Sequence, residues 1–85
     1  MLKIEKDSDG ETTIIRLIGR IQFGDLDELK AQMDGNGSRL LLDLDQVTLV
    51  DVEVVRFLGR CKKCGVELAR CSPYILEWIL REQKQ

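Results

Sequence analysis

Eighty-five residues make one domain, spanning residues 1–85, and 44% hydrophobic with 33% charged side chains is the balance of a folded soluble chain rather than a disordered one. Thirteen basic against fifteen acidic residues leave a formal net charge of −2, so no basic field draws in nucleic acid or an anionic membrane; Lys62–Lys63 is the only adjacent basic pair. No apolar run approaches the ~20 residues that span a bilayer, no export signal is visible, and three cysteines, an odd number, argue against a secreted disulfide scaffold, so the cytoplasm is the expected compartment.

Leu2-Lys3-Ile4-Glu5-Lys6 alternates apolar and charged residues, as in a strand with one wet face. Asp7-Ser8-Asp9-Gly10 is a turn, and the β-branched run Thr12–Ile18 is a second strand, antiparallel to the first because the turn is short. Gly19 is expected to end it. Asp25 with Glu28 three residues on resembles a capping box, and Leu26, Leu29 and Met33 follow at helical spacing. Gly35-Asn36-Gly37-Ser38 stops this helix. Leu40–Leu44 reads as a central strand covered on both faces.

Asp51 opens the next helix, with Val54, Val55, Leu58 and Cys61 as its buried stripe, and Gly65 closes it. Val66–Arg70 is a short fourth strand. Pro73 fits the first turn of a last helix whose inward residues are Ile75, Leu76, Ile79 and Leu80, with Trp78 at a margin and the tail Glu82–Gln85 fraying. The expected fold is α/β: a mixed four-stranded sheet, parallel at its centre, with three helices in the order β-β-α-β-α-β-α.

Several residue groups carry chemistry elsewhere. Histidine is absent, which removes the commonest general base and metal ligand. Cys61-x-x-Cys64 has the spacing of a metal or redox motif, and Cys71 offers a third thiol, but a helix end is the wrong place to lower a thiol pKa and zinc wants four ligands. The competing reading packs Cys61 in the core as a small apolar residue. Gly35 and Gly37 follow a helix and precede a strand, the reverse of a phosphate-binding loop, and read as a turn. Asp43 and Asp45 share a strand face without a Lys or His beside them, and Asp43 reads as a hydrogen-bond acceptor for backbone or an arginine. No enzyme activity and no cofactor are expected.

The run Ile15-Arg16-Leu17-Ile18-Gly19-Arg20-Ile21, then Leu40-Leu41-Leu42-Asp43-Leu44 with Val47-Thr48-Leu49-Val50-Asp51, then Gly65-Val66-Glu67-Leu68 and Ser72-Pro73, resembles the STAS family of anti-sigma-factor antagonists over nearly the whole chain. The stretch Leu40–Leu58 is the most specific part. The resemblance implies a bacterial signalling protein that regulates transcription by binding an anti-sigma factor, a serine-kinase-like ATPase or a phosphatase. In that family a serine at the start of the second helix is often phosphorylated, which adds about 1.5 to 2 negative charges to a docking surface.

This sequence departs from that pattern. Asp51 stands at the family's Asp, but the phosphoacceptor position is Val52, followed by Glu53 and by Val54 where glycine is usual. Valine has no hydroxyl, so phosphorylation there is excluded; Thr48 is the nearest hydroxyl, and aligning it breaks the match at Asp51. The partner-binding residues expected from this placement are Gln22, Phe23, Asp51, Val52, Glu53 and Val55. Asp51 and Glu53 have two readings, a helix cap with its dipole complement, or an acidic pair of fixed charge facing the partner. A homodimer would relieve a small core. The alternatives are a structural or dimerising subunit of a larger signalling assembly, and a small metal or redox protein using Cys61, Cys64 and Cys71.

Overall fold

Alternating apolar and polar residues build the first hairpin. In the computed structural model, which describes residues 2–34 and 39–83, β1 (Leu2–Ser8) pairs antiparallel with β2 (Thr12–Ile21), from Leu2 opposite Gly19 to Ser8 opposite Thr13. The turn is tied by Asp9, whose Oδ1 accepts the amides of Glu11 (3.1 Å) and Thr12 (2.8 Å), and Gly10 supplies a φ of 93°. Gly19 does not end β2. It takes a φ of 99° beside an irregularity in the pairing with the next strand, so it bends the strand, and β2 runs on to Ile21.

A 3₁₀ turn, Phe23–Asp25, leads into α1 (Leu26–Met33). Asp25 therefore does not cap with Glu28 as expected: its Oδ2 reaches back to the Gln22 amide at 2.9 Å, one turn earlier. Leu26 and Leu29 are buried and Met33 is half-buried, as their spacing predicts. The glycine-rich stop at 35–38 lies outside the described residues.

The third strand is much longer than its apolar run. β3 spans Arg39–Val50, parallel to β2 and, over Leu41–Asp43, to β4 (Glu67–Ala69). Beyond Leu44, where the apolar run ends, residues 45–50 stay in the ladder with Gln46 opposite Ile18 and Val50 opposite Ile21. Two register shifts, between Arg16 and Ile18 and between Gly19 and Arg20, each place an extra residue on β3. They break the alternation that would otherwise mark the strand. The strand order is β1-β2-β3-β4.

Two helices complete the chain: α2 (Val52–Lys63) and α3 (Pro73–Gln83). Ile15, Leu17 and Ile21 of β2 and Leu42 and Leu44 of β3 share one buried cluster with Leu29 of α1, Val54, Val55 and Leu58 of α2, and Ile75 and Ile79 of α3. The alternate residues of β2, Ile14, Arg16, Ile18 and Arg20, are half-buried or exposed. The helices thus cover one face of the sheet, in two layers. The expectation that Leu40–Leu44 is covered on both faces is corrected: Leu41 and Asp43 point to the face that carries no helix, where Arg16 and Arg70 shield Asp43. On α3, Leu76 and Leu80 face outward rather than inward. Glu82 and Gln83 do not fray, because Glu82 pairs with Arg56 at 3.0 Å and the Gln83 amide donates to the Gly59 carbonyl at 3.1 Å.

Candidate functional site

Parallel pairing brings the C-terminal ends of β2 and β3 side by side, Ile21 opposite Val50, so the loop after β2 meets the start of α2. Asp51 joins them. Its Oδ1 accepts the Val54 amide at 3.0 Å, the N-cap bond of α2, and its Oδ2 accepts the Phe23 amide at 2.8 Å from the other loop. One carboxylate thus caps a helix and fixes the conformation of a loop 28 residues away in sequence.

Around this clamp the structure gathers Gln22, Phe23, Val52 and Glu53, all expected at the site. Phe23 is 65% exposed and Val52 38%, and Leu49, two residues before the clamp, is 49% exposed. Leu49 is not among the expected site residues: the second register shift inserts Thr48 into β3, so Val47 and Val50 pack toward the core while Leu49 points out, and no regular alternation marks it. Three exposed apolar side chains thus lie at the C-terminal ends of the two central strands and the start of α2.

Val55 does not belong to that surface. It is fully buried with Val54 and Leu58, on the face of α2 turned to the sheet, and supports the site from beneath. Nor do Asp51 and Glu53 form one free acidic pair. Both Asp51 oxygens are taken by amides, and Glu53 pairs with Arg56 at 3.3 Å, which also holds Glu82. Thr48 is exposed on β3, beside the second register shift.

Asp43 makes a second polar cluster. It is 4% exposed, accepts the Asp45 amide at 3.0 Å and an Arg70 guanidinium hydrogen bond, and has Arg16 Nε at 3.6 Å. The expected arginine acceptor role is what the geometry shows. Burial pushes its carboxyl up, but the Arg70 and Asp45 hydrogen bonds and the charges of Arg70 and Arg16 outweigh it, holding the group below the usual carboxylate value. All its neighbours are structural partners.

The cysteines are spread over three environments: Cys61 buried, Cys71 half-buried, Cys64 exposed. Burial, with Cys64 adding repulsion, pushes the Cys61 thiol up to about 11, and burial raises Cys71 as well. Among the described residues no three Cys, Asp or Glu side chains are gathered to hold a metal ion. Because the thiolate is the nucleophile, iodoacetamide at pH 8 is expected to label Cys64 first and Cys61 at least roughly a hundredfold more slowly until the protein is unfolded in urea. Mass spectrometry of the labelled peptides checks this; equal rates for both would contradict the burial of Cys61. Among the described residues no helix is long and apolar enough to cross a membrane.

No protein-family model matches the sequence, and no curated protein does. Solved structures do match. An antisigma-factor antagonist STAS domain from Rhodobacter sphaeroides superposes with a TM-score of 0.57 at 19% identity, covering 86% of this chain and 91% of that one. The structure of Mglu superposes with a TM-score of 0.60 at 26% identity over 81% of this chain; the chain spans only 19% of Mglu's length. The fold is STAS-like, with the mixed sheet and three helices expected from the sequence.

Proposed function

We propose that this chain is a non-catalytic protein-interaction domain of the anti-sigma-antagonist kind, acting in the bacterial cytoplasm in the regulation of transcription. Its docking surface is the edge formed by Phe23, Leu49 and Val52, flanked by Gln22 and Glu53. The partner class is a serine-kinase-like anti-sigma ATPase or a phosphatase. The observation that carries this reading is the concentration of exposed apolar side chains around a rigid clamp, at the place where the STAS-like fold puts its second helix. An exposed aromatic flanked by smaller apolar groups is the composition of a binding hot spot.

Val52 defines how such a surface behaves. It is the first residue of α2 and partly exposed, and in this reading it stands where the family's phosphoacceptor serine is expected. A valine there keeps the edge apolar at all times, and association is then set by the concentration and state of the partner rather than by modification of this chain.

The test is affinity capture from the host with wild type, Val52→Glu and Phe23→Ser, with mass spectrometry of the retained proteins. Both side chains point to solvent, and a carboxylate is tolerated at a helix N-terminus, so circular dichroism is expected to show all three folded. Wild type is expected to retain a histidine-kinase-like ATPase or a phosphatase, and Val52→Glu to retain at least about tenfold less, since a buried unpaired charge at an interface is costly. Equal retention by all three removes the site; retention of no such protein by wild type removes the function.

A further inference from the structure

The packing of α2 against α3 leaves an open groove of about 310 Å³, with the buried Val55, Gly59 and Ile79 beneath it, Arg56, Arg60 and Lys63 of α2 along one wall, and Glu82 and Gln83 of α3 also lining it. It lies along the C-terminal half of α2, beyond the Phe23–Val52 edge. Three features shape it. Gly59 brings the helices close: a Cβ there would lie 3.3 Å from Gln83 Nε2 and 3.6 Å from Ile79 Cγ2. Gln83 crosses the floor and donates to the Gly59 carbonyl at 3.1 Å. The wall is a row of cations at i, i+4 and i+7, which on an α-helix form one stripe roughly 10 Å long.

The charges in that row are unequal. Arg56 is held by Glu53 at 3.3 Å and Glu82 at 3.0 Å. Among the described residues neither Arg60 nor Lys63 has an ion pair, and both are exposed. In a chain whose net charge is −2, Arg60 and Lys63 make one wall of the groove a locally positive strip above a floor of closely packed, buried residues. A single small anion would engage one end of such a row. A strip this long, with cations one helical turn apart, complements carboxylates that repeat at the same interval on a helix.

We infer that the α2–α3 groove is a second docking site, which takes an acidic helical segment of a protein, with Arg60 and Lys63 as its principal contacts. The site is independent of the Phe23–Val52 edge, so the two stand or fall separately.

The probe is a fluorescently labelled helical peptide carrying Glu at i, i+4 and i+7, alongside the same peptide with Gln at those positions. Fluorescence anisotropy at low salt, with amide chemical shifts to place the contact, is expected to show wild type binding the Glu peptide and not the Gln peptide. Shifts should fall on α2 and α3, and affinity should drop as salt is raised. Arg60→Glu/Lys63→Glu is expected to lose binding by about tenfold or more and to gain affinity for a third peptide with Lys at the three positions, which separates loss of charge from loss of fold. Val52→Glu is expected to bind like wild type. Equal binding of the Glu and Gln peptides, binding unchanged in the double variant, or shifts lying elsewhere would each overturn the inference. So would inorganic pyrophosphate moving the same amides at lower concentration than the peptide, which would make this a small-anion site.

Discussion

Asp51→Ala is expected to destabilise the domain by about 2–3 kcal/mol, which for a chain of this length lowers the melting temperature by about 10–20 °C. The size follows from two bonds lost at once. An N-cap carboxylate contributes about 1 kcal/mol through the Val54 amide, and a charge-assisted bond to the Phe23 amide contributes at least as much again. An ordinary cap would lose only the first. Asp51→Asn keeps one acceptor oxygen and is expected to lose about half. Urea denaturation of the three proteins measures this; a loss below about 0.5 kcal/mol for the alanine variant would mean that the clamp between loop and helix does not hold. The same substitution frees the Phe23 loop, so partner affinity falls with stability, whereas Val52→Glu changes affinity alone. Asp51 is thus a positioning residue for the proposed surface, and an experiment on the acidic residues by themselves would confuse folding with docking.

The legible parts of this chain were those governed by local rules. The hairpin was readable from alternation and from Asp9–Gly10, and the caps of α2 from Asp51 and Gly65, because each depends on a few neighbouring residues. The second half of β3 was not. Its two extra residues against β2 are a property of the pair of strands, and they scramble the period-two pattern in β3 alone. Leu49 was missed for that reason. Val55 has two incompatible readings in the sequence, buried stripe by helical period and partner contact by nearness to Asp51 and Val52, and the period is the one that holds. The second role of Asp51 could not be read at all, since nothing local pairs position 51 with position 23. The row Arg56, Arg60 and Lys63 is not among the groups read from the sequence, because only the packing of α3 turns it into one wall of a groove.

Asp43→Asn is expected to cost about 2 kcal/mol at neutral pH, a cost that fades as the solution is acidified. Asp43 sits at the middle of a charge network that crosses the open face of the sheet. Arg16 of β2 reaches it at 3.6 Å and also meets Glu5 of β1 at 3.5 Å, while Arg70, just beyond β4, donates to it and approaches Asp45 at 3.8 Å. Arg70 holds a φ of 54°, a left-handed conformation that costs a non-glycine residue roughly 1 kcal/mol or more, and the bond to Asp43 helps to keep it there. The sign of the pH dependence follows from the lowered carboxyl pKa. Near pH 4 the unfolded chain, with an ordinary Asp pKa of about 3.9, binds more protons at this position than the native protein does. Stability from Asp43 is therefore complete above that value and is lost as pH falls through the lower native pKa. Asn cannot titrate, so the gap between wild type and variant should be widest at pH 7, almost as wide at pH 5, and narrower at pH 3. Urea midpoints at those three values decide it: a gap independent of pH would mean that the arginines contribute packing rather than charge, and the open face would then be held by its apolar residues Ile14, Ile18 and Leu41.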